Sequence, residues 1–112
     1  MKLIISAQDS LLESPIDRRF GRSPWLISVN VETKEWKAYQ NPGASQSGGA
    51  GVAAAQFVID QAADVVISGD FGPNASRAFQ AASVEIRLFT EDILTVQDAV
   101  DHFIAKTLPT YK

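Results

Sequence analysis

The sequence predicts one α/β domain, residues 1–112, built on a five-stranded mixed sheet with three helices. Two observations support this fold class. Residues 1–40 contain three short strand-like segments separated by turns and loops, which is typical of an antiparallel meander. From residue 50 onward, helical segments alternate with two strand-like segments, which is typical of parallel strands joined by right-handed crossovers. A length of 112 residues with 46% hydrophobic residues suits a single packed domain.

The first three strands are predicted from their residue patterns. Residues 3–6 form a short apolar run, and residues 25–29 form a second one after a long polar loop. Residues 30–34 have the composition of a hairpin turn. Residues 35–39 alternate polar and apolar side chains, which predicts a strand with one solvent-exposed face.

The second half of the chain is predicted to alternate helix and strand. Residues 64–69 include an unbroken apolar run, as in a strand that is buried on both faces. Pro73 suits the first position of a helix, and Thr95-Val96-Gln97-Asp98 resembles a capping box. The predicted bounds are 50–62, 73–82 and 95–106 for the helices and 64–69 and 85–89 for the strands, followed by a tail that contains Pro109.

The predicted topology gathers the long loops at one end of the sheet. If the fourth strand lies beside the first, the strand order is 3-2-1-4-5. We call the end of the sheet at which the first strand finishes the top. In open α/β sheets, ligands bind outside the carboxyl ends of the parallel strands. The predicted top connections are the long or glycine-rich segments 7–24, 40–50, 69–73 and 90–94, and the bottom connections are short.

The composition excludes several classes of function. A net charge of −3 and a pI near 5.0 argue against general nucleic-acid binding, which leaves a basic footprint. Without cysteine, the chain has no disulfide, thiolate metal ligand or cysteine nucleophile, which fits a reducing cytoplasm. No segment has the length of a signal-peptide core or a membrane span. We therefore expect a cytoplasmic protein without nucleic-acid or membrane partners. We also expect it to be a monomer.

A basic loop is the most informative local feature. Arg18, Arg19 and Arg22 surround Phe20 and Gly21 in a chain that is acidic overall. Arginine can hold an anion by charge and by forked hydrogen bonds. The alternative is a solvated turn in which the arginines serve solubility.

Two glycine-rich segments, 48–51 and 69–74, are predicted to lie beside this loop at the top. Glycines before a helix leave backbone N–H groups bare, which favours anions. Residues 49–54 also fit the pattern G-x-G-x-x-A of a nucleotide-binding loop, but weakly, because the preceding strand is the third of a meander. A flexible loop is the other alternative. The candidate residues in these segments, together with Asn41 from the same connection as the first of them, are Asn41, Gly48, Gly49, Gly51, Gly69, Asp70, Phe71, Gly72 and Asn74.

The acidic residues of the top loops offer a second class of function. Asp9, Asp17 and Asp70 could together bind divalent metal ions in an enzyme or a nucleotide-binding module. For Asp70 alone, capping of the following helix is the more favoured role. His102 is the single histidine and is expected to be structural. A third hypothesis is a regulatory module whose top loops bind a protein partner.

Four motifs in order resemble one known family. They are Phe20-Gly21-Arg22, Gly48-Gly49-Ala50-Gly51, the segment 65–75 that ends Gly69-Asp70-Phe71-Gly72-Pro73-Asn74-Ala75, and Thr95-Val96-Gln97-Asp98-Ala99-Val100. Together they resemble the dinitrogenase iron–molybdenum cofactor biosynthesis domain, the family of NifX and of the C-terminal part of NifB. The orange protein of sulfate reducers, which holds a molybdenum–copper sulfide cluster without covalent ties, is a similar protein.

The resemblance implies a ribonuclease H-like sheet and a carrier of a preformed metal–sulfur cluster rather than a catalyst. The cluster would be of the iron–molybdenum–sulfur or molybdenum–copper–sulfur type, and the partners would be proteins that donate or accept it. Because this chain lacks cysteine and has no histidine beside its glycine loop, no residue is assigned as a direct metal ligand. Arginines and backbone N–H groups can instead bind the outer sulfides of an anionic cluster. The residues expected to do so are Arg18, Arg19, Phe20, Gly21, Arg22, Asn41, Gly48, Gly49, Gly51, Gly69, Asp70, Phe71, Gly72 and Asn74.

Overall fold

A computed structural model of the chain describes residues 1–106 and confirms the predicted order of elements. The predicted domain limit at residue 112 and the expected tail with Pro109 extend outside the described residues. The strands are β1 (Lys2–Ala7), β2 (Trp25–Asn30), β3 (Trp36–Gln40), β4 (Val65–Ser68) and β5 (Glu85–Leu88). The helices are α1 (Ala50–Asp60), α2 (Pro73–Ala81) and α3 (Val96–Ile104).

The five strands form one mixed sheet in the order β3-β2-β1-β4-β5, as predicted. β1 is antiparallel to β2 and parallel to β4, with Ile4 opposite Ser28 on one side and Val66 on the other. β2 and β3 pair antiparallel, and β4 and β5 pair parallel. The top of the sheet is therefore the end at which β1, β3, β4 and β5 all finish, and the predicted top loops meet there.

Each face of the sheet is covered by its own layer of helices. Ile4 and Val66 face α1 and α2, whereas Leu3, Ile5 and Ile67 face α3. Alternate residues of one strand point to opposite faces, so the central strands must be apolar on both sides. None of the helices in the described part of the chain is long and apolar enough to cross a membrane.

The long connection between β1 and β2 is more ordered than a polar loop would be. Isolated backbone bridges join Ile16 to Ala7, Pro15 to Thr95, and Arg19 to Asp70. A 3-10 helix at Phe20–Arg22 follows, and another lies at Pro42–Ser45. Neither short helix was predicted, since a single turn carries no hydrophobic period. The connection is thus fastened across the top of β1 and β4.

The predicted capping box at the start of α3 is confirmed. Thr95 Oγ1 accepts a hydrogen bond from the Asp98 backbone N–H at 3.1 Å, and the Asp98 carboxylate accepts one from the Thr95 N–H at 3.1 Å.

We expect Thr95→Ala to lower the free energy of unfolding by about 1 kcal/mol, because a helix N–H loses its acceptor. Urea denaturation would measure this. Thr95→Ser keeps the oxygen and is the control. Equal midpoints for Thr95→Ala and Thr95→Ser would contradict a role for the cap.

Candidate functional site

Three loops meet backbone to backbone at the top of the sheet. A β-carbon on Gly21 would lie 2.9 Å from the Gly51 backbone nitrogen. A β-carbon on Gly43 would lie 2.6 Å from the Gly21 carbonyl oxygen and would also overlap the carbonyl of Ala50. Only glycine permits backbones to approach this closely. The 3-10 helices and the start of α1 are therefore locked together.

The first turns of α1 and α2 lie side by side at this place. A β-carbon on Gly51 would lie 3.6 Å from the β-carbon of Ala75, which is ordinary van der Waals contact. Gly49, in the left-handed conformation with φ 71°, precedes α1, and Gly72 precedes α2. Neither helix has a side-chain cap or an acidic residue in its first turn, whereas α3 has both. Two unneutralised helix N-termini thus present N–H groups and partial positive charge together.

Asp70 does not cap α2, so the expected capping role is wrong. The N-cap is Gly72, two residues after Asp70, and the helix begins at the next residue, Pro73. Asp70 instead pairs through its backbone, because its carbonyl accepts the Phe20 N–H at 3.2 Å. The Asp70 side chain is exposed. Its contribution to the site is to join the arginine loop to the end of β4.

Two of the three arginines lie on the side of the sheet that carries α1 and α2. Arg22 is exposed, and its Nη1 donates a hydrogen bond to the carbonyl of Gln46 in the loop before α1. Arg19 forms a two-pronged ion pair with Asp17, with distances of 3.1 Å from Nε to Oδ1 and 2.9 Å from Nη2 to Oδ2. Hydrogen bonding to the Asp17 carboxylate, together with its negative charge, raises the pKa of Arg19.

Arg18 lies on the opposite side of the sheet. Its guanidinium carbon is 5.9 Å from the centre of the Phe89 ring, in the layer beneath α3, and its Nη2 is 3.4 Å from the Thr90 carbonyl oxygen. Neighbouring residues of an extended segment point to opposite faces, which separates Arg18 from Arg19. The three arginines therefore do not form one cluster. The backbone of Arg18 packs against Gly69, where a β-carbon would lie 2.9 Å from the Arg18 α-carbon.

Three predicted site residues support the loops from below. Phe20 and Phe71 are buried, and their ring centres are 5.1 Å apart in a cluster with Phe79. Asn41 is buried, and its side chain donates to the Phe20 carbonyl and accepts from the Gly43 N–H, both at 3.0 Å. These buried side chains fix the positions of the loops.

We call residues 19–22, 46–51 and 69–74 the top rim. It is an open surface, because β-carbons on Gly48, Gly49 and Gly72 would have no other atom within 4 Å. Asn74 is exposed there, at the second position of α2, and its side chain accepts a hydrogen bond from Arg77. A cavity of about 540 Å³ lies at the bottom of the sheet, between Val31, Phe103 and Ile104, and shares no residue with the top rim.

The acidic metal site of the alternative hypothesis is not formed among the described residues. Asp17 is engaged by Arg19, and Asp9 accepts a hydrogen bond from the backbone N–H of Ser10 at 2.8 Å. Within residues 1–106, no group of three His, Asp or Glu side chains is placed to hold a metal ion. The hypothesis that Asp9, Asp17 and Asp70 share a metal is therefore wrong.

His102, expected to be structural, lies on α3 and pairs with Asp92. Its Nε2 is 3.1 Å from the Asp92 carboxylate. A hydrogen bond from Thr90, together with His102, lowers the pKa of Asp92. This pair links α3 to the loop after β5.

Comparison with known proteins adds family and fold relations. A family model described as dinitrogenase iron–molybdenum cofactor matches residues 1–106. The apo form of the orange protein from Desulfovibrio gigas has 32% sequence identity and a TM-score of 0.91, covering 98% of this chain and 92% of that one. A Thermotoga protein provisionally assigned as NifB has 25% sequence identity and a TM-score of 0.83, and the match covers 97% of this chain and 91% of that one. A search of curated proteins finds no match.

Proposed function

The chain belongs to the dinitrogenase iron–molybdenum cofactor family, and from this premise we propose that it carries an anionic metal–sulfur cluster at the top rim without catalysing a reaction. The observation that carries the proposal is the adjacency of the first turns of α1 and α2 below the arginine loop. Bare N–H groups and partial positive charge at this place suit an anion.

The chemistry of the residues favours binding through the outer sulfides of the cluster. Arg19 and Arg22 supply charge-assisted donors, and the glycine segments supply backbone donors. With no cysteine in the chain, no thiolate can replace a sulfide, so the cluster keeps its own ligands. Arg18, across the sheet, contributes mainly long-range attraction, which salt screens.

The open rim suits a carrier that receives and releases its cargo. A cluster bound there remains accessible to the proteins that donate or accept it in cofactor biosynthesis. Both the molybdenum–copper sulfide and the iron–molybdenum–sulfur types are anions with exposed sulfides, and both are candidate cargoes.

The proposal is tested by adding tetrathiomolybdate with copper(I), or an iron–molybdenum cofactor precursor, to the metal-free protein. We expect new charge-transfer absorption that saturates with protein concentration. Arg19→Ala and Arg22→Ala should each weaken binding about tenfold or more, since each removes a charge-assisted hydrogen bond. Spectra that do not change on mixing with either cargo would reject the proposal.

Gly72→Val is expected to weaken binding while leaving the fold intact. Gly72 has φ −69° and ψ 162°, an extended conformation that valine adopts readily, and its β-carbon would face open space. Gly72 is also the N-cap of α2, where valine is less favourable than glycine, so the free energy of unfolding should fall by about 1 kcal/mol and the protein should still fold. The isopropyl group would stand before the first turn of α2 and weaken copper–tetrathiomolybdate binding about tenfold, as one charge-assisted bond is lost. Thermal unfolding and optical titration measure the two effects, and wild-type affinity would contradict this placement of the cluster.

A further inference from the structure

We infer that Asp17 is a positioning residue that fixes the Arg19 guanidinium for hydrogen bonding to the bound cluster. The inference rests on the proposed function and deepens it, because it assigns a specificity role to a buried carboxylate that does not itself face the cargo. Three observations carry it: the anchoring of Asp17, the geometry of its pair with Arg19, and the exposure of the remaining N–H groups.

Asp17 is anchored to the central strands. Its side chain is only 4% exposed, and its backbone N–H donates to the Ser6 carbonyl at 3.0 Å. The Ser6 hydroxyl lies 2.6 Å from the Asp17 carbonyl oxygen and 2.6 Å from the Ser68 hydroxyl. Ser6 lies in β1 and Ser68 in β4, so the carboxylate is fixed relative to the middle of the sheet.

The pair holds one edge of the guanidinium and leaves the other free. Nε and Nη2 of Arg19 donate to the two oxygens of Asp17, and the Arg19 backbone N–H donates to Oδ1 at 2.9 Å. A guanidinium has about five N–H donors, and two are used here, so about three remain on the outer edge. The Arg19 side chain is 67% exposed. The outer edge is therefore presented to solvent in a fixed orientation.

A positioning role of Asp17 can be distinguished from Coulomb attraction between the protein and the anionic cluster, because the two predict opposite effects of neutralising Asp17. Asp17 and Arg19 together carry no net charge, so Arg19 adds little to the long-range field of the rim. Replacing Asp17 with asparagine removes a negative charge and, by Coulomb attraction alone, would tighten the binding of an anion. If Asp17 acts by orienting Arg19, the same replacement weakens binding, since a freely rotating arginine loses side-chain entropy when the cargo binds.

The experiment titrates wild-type protein, Asp17→Asn, Arg19→Lys and Arg22→Ala with copper–tetrathiomolybdate, and follows the thermal unfolding of each. We expect Asp17→Asn to weaken binding about fivefold to tenfold although the net charge becomes more positive. Arg19→Lys keeps the charge, loses the two-pronged pair and should weaken binding to a similar extent. Because the Arg19 side chain is 67% exposed, Arg19→Lys is expected to fold even if Asp17→Asn does not.

The outcomes separate the inference from the proposed function. Unchanged or tighter binding by Asp17→Asn, or wild-type affinity in Arg19→Lys, would overturn the positioning role. If Arg22→Ala still weakened binding in that case, the carrier function would stand. No binding by the wild-type protein would overturn both.

Discussion

Gly43→Ala is expected to destabilise the protein by about 3 kcal/mol, near the upper end of what overpacking costs. The added methyl group would lie 2.6 Å from the Gly21 carbonyl oxygen and would overlap the carbonyl of Ala50. Both obstacles are backbone atoms, which cannot rotate away as a side chain can. Relief of the clash requires that the Pro42–Ser45 helix separate from the start of α1, so cluster binding should weaken as well.

The matched control is Gly48→Ala, an identical substitution in the same connection. Its methyl group would have no other atom within 4 Å, and Gly48 is not in the left-handed conformation. Its free energy of unfolding should stay within about 0.5 kcal/mol of the wild-type value. Urea denaturation of the three proteins measures the difference. Equal stability of Gly43→Ala and Gly48→Ala would contradict the close packing of the three loops.

The double variant Arg19→Ala/Arg22→Ala is expected to lose at least about a hundredfold in affinity for copper–tetrathiomolybdate. Hydrogen bonds to charged groups contribute about 1.5–3 kcal/mol each, and about 2.8 kcal/mol corresponds to a hundredfold. Both arginines lie on the side of the sheet that presents the N-termini of α1 and α2. An optical titration at fixed ionic strength measures the affinities.

Two control variants distinguish position from charge. Arg18→Ala removes an arginine of the same loop whose guanidinium lies beside Phe89, and it should weaken binding only a few-fold at physiological salt. Lys37→Ala/Lys106→Ala removes two positive charges near the bottom of the sheet and should have a still smaller effect. Equal losses of binding free energy in the two double variants, with about half that loss in Arg18→Ala, would mean that net charge, not the geometry of the rim, attracts the cluster.

The regular elements could be predicted because each carries a local signal. The unbroken apolar runs of β1 and β4 follow from burial on both faces, and the capping box marks the start of α3. Observed bounds differ from predicted ones by one or two residues at most ends, where strands and helices fray. The convergence of the top loops followed from strand order and direction alone.

The details of the arginine loop could not be predicted in the same way. The sequence does not distinguish between Arg18, Arg19 and Arg22. The separation of their side chains across the sheet depends on the backbone bridge between Arg19 and Asp70, and an isolated bridge leaves no periodic pattern in the sequence. The burial of Asp17 depends on contacts with Ser6. An aspartate two residues before an arginine was the available signal for their pair, but in an exposed loop the same spacing has no such consequence.

Phe20 illustrates a different limit. Its neighbours in sequence are polar or glycine, which favours a site residue, yet it is 1% exposed and packs against Phe71 and Phe79. A single aromatic residue in a basic loop gives no pattern from which burial can be inferred. The distinction between a contact with cargo and support for the loop required the tertiary structure.

In the proposed mode of binding, two helix N-termini and two arginines at the top rim together hold an anionic cluster. Amide chemical-shift mapping during titration with closed-shell copper(I)–tetrathiomolybdate tests it most directly, because the backbone N–H groups themselves report contact. We expect the largest amide shifts at residues 19–22 and 49–52 and at Gly72, Asn74 and Ala75, since Pro73 has no N–H, and little change around Val31, Phe103 and Ile104. Shifts concentrated at the bottom cavity, or spread evenly over the protein, would contradict it.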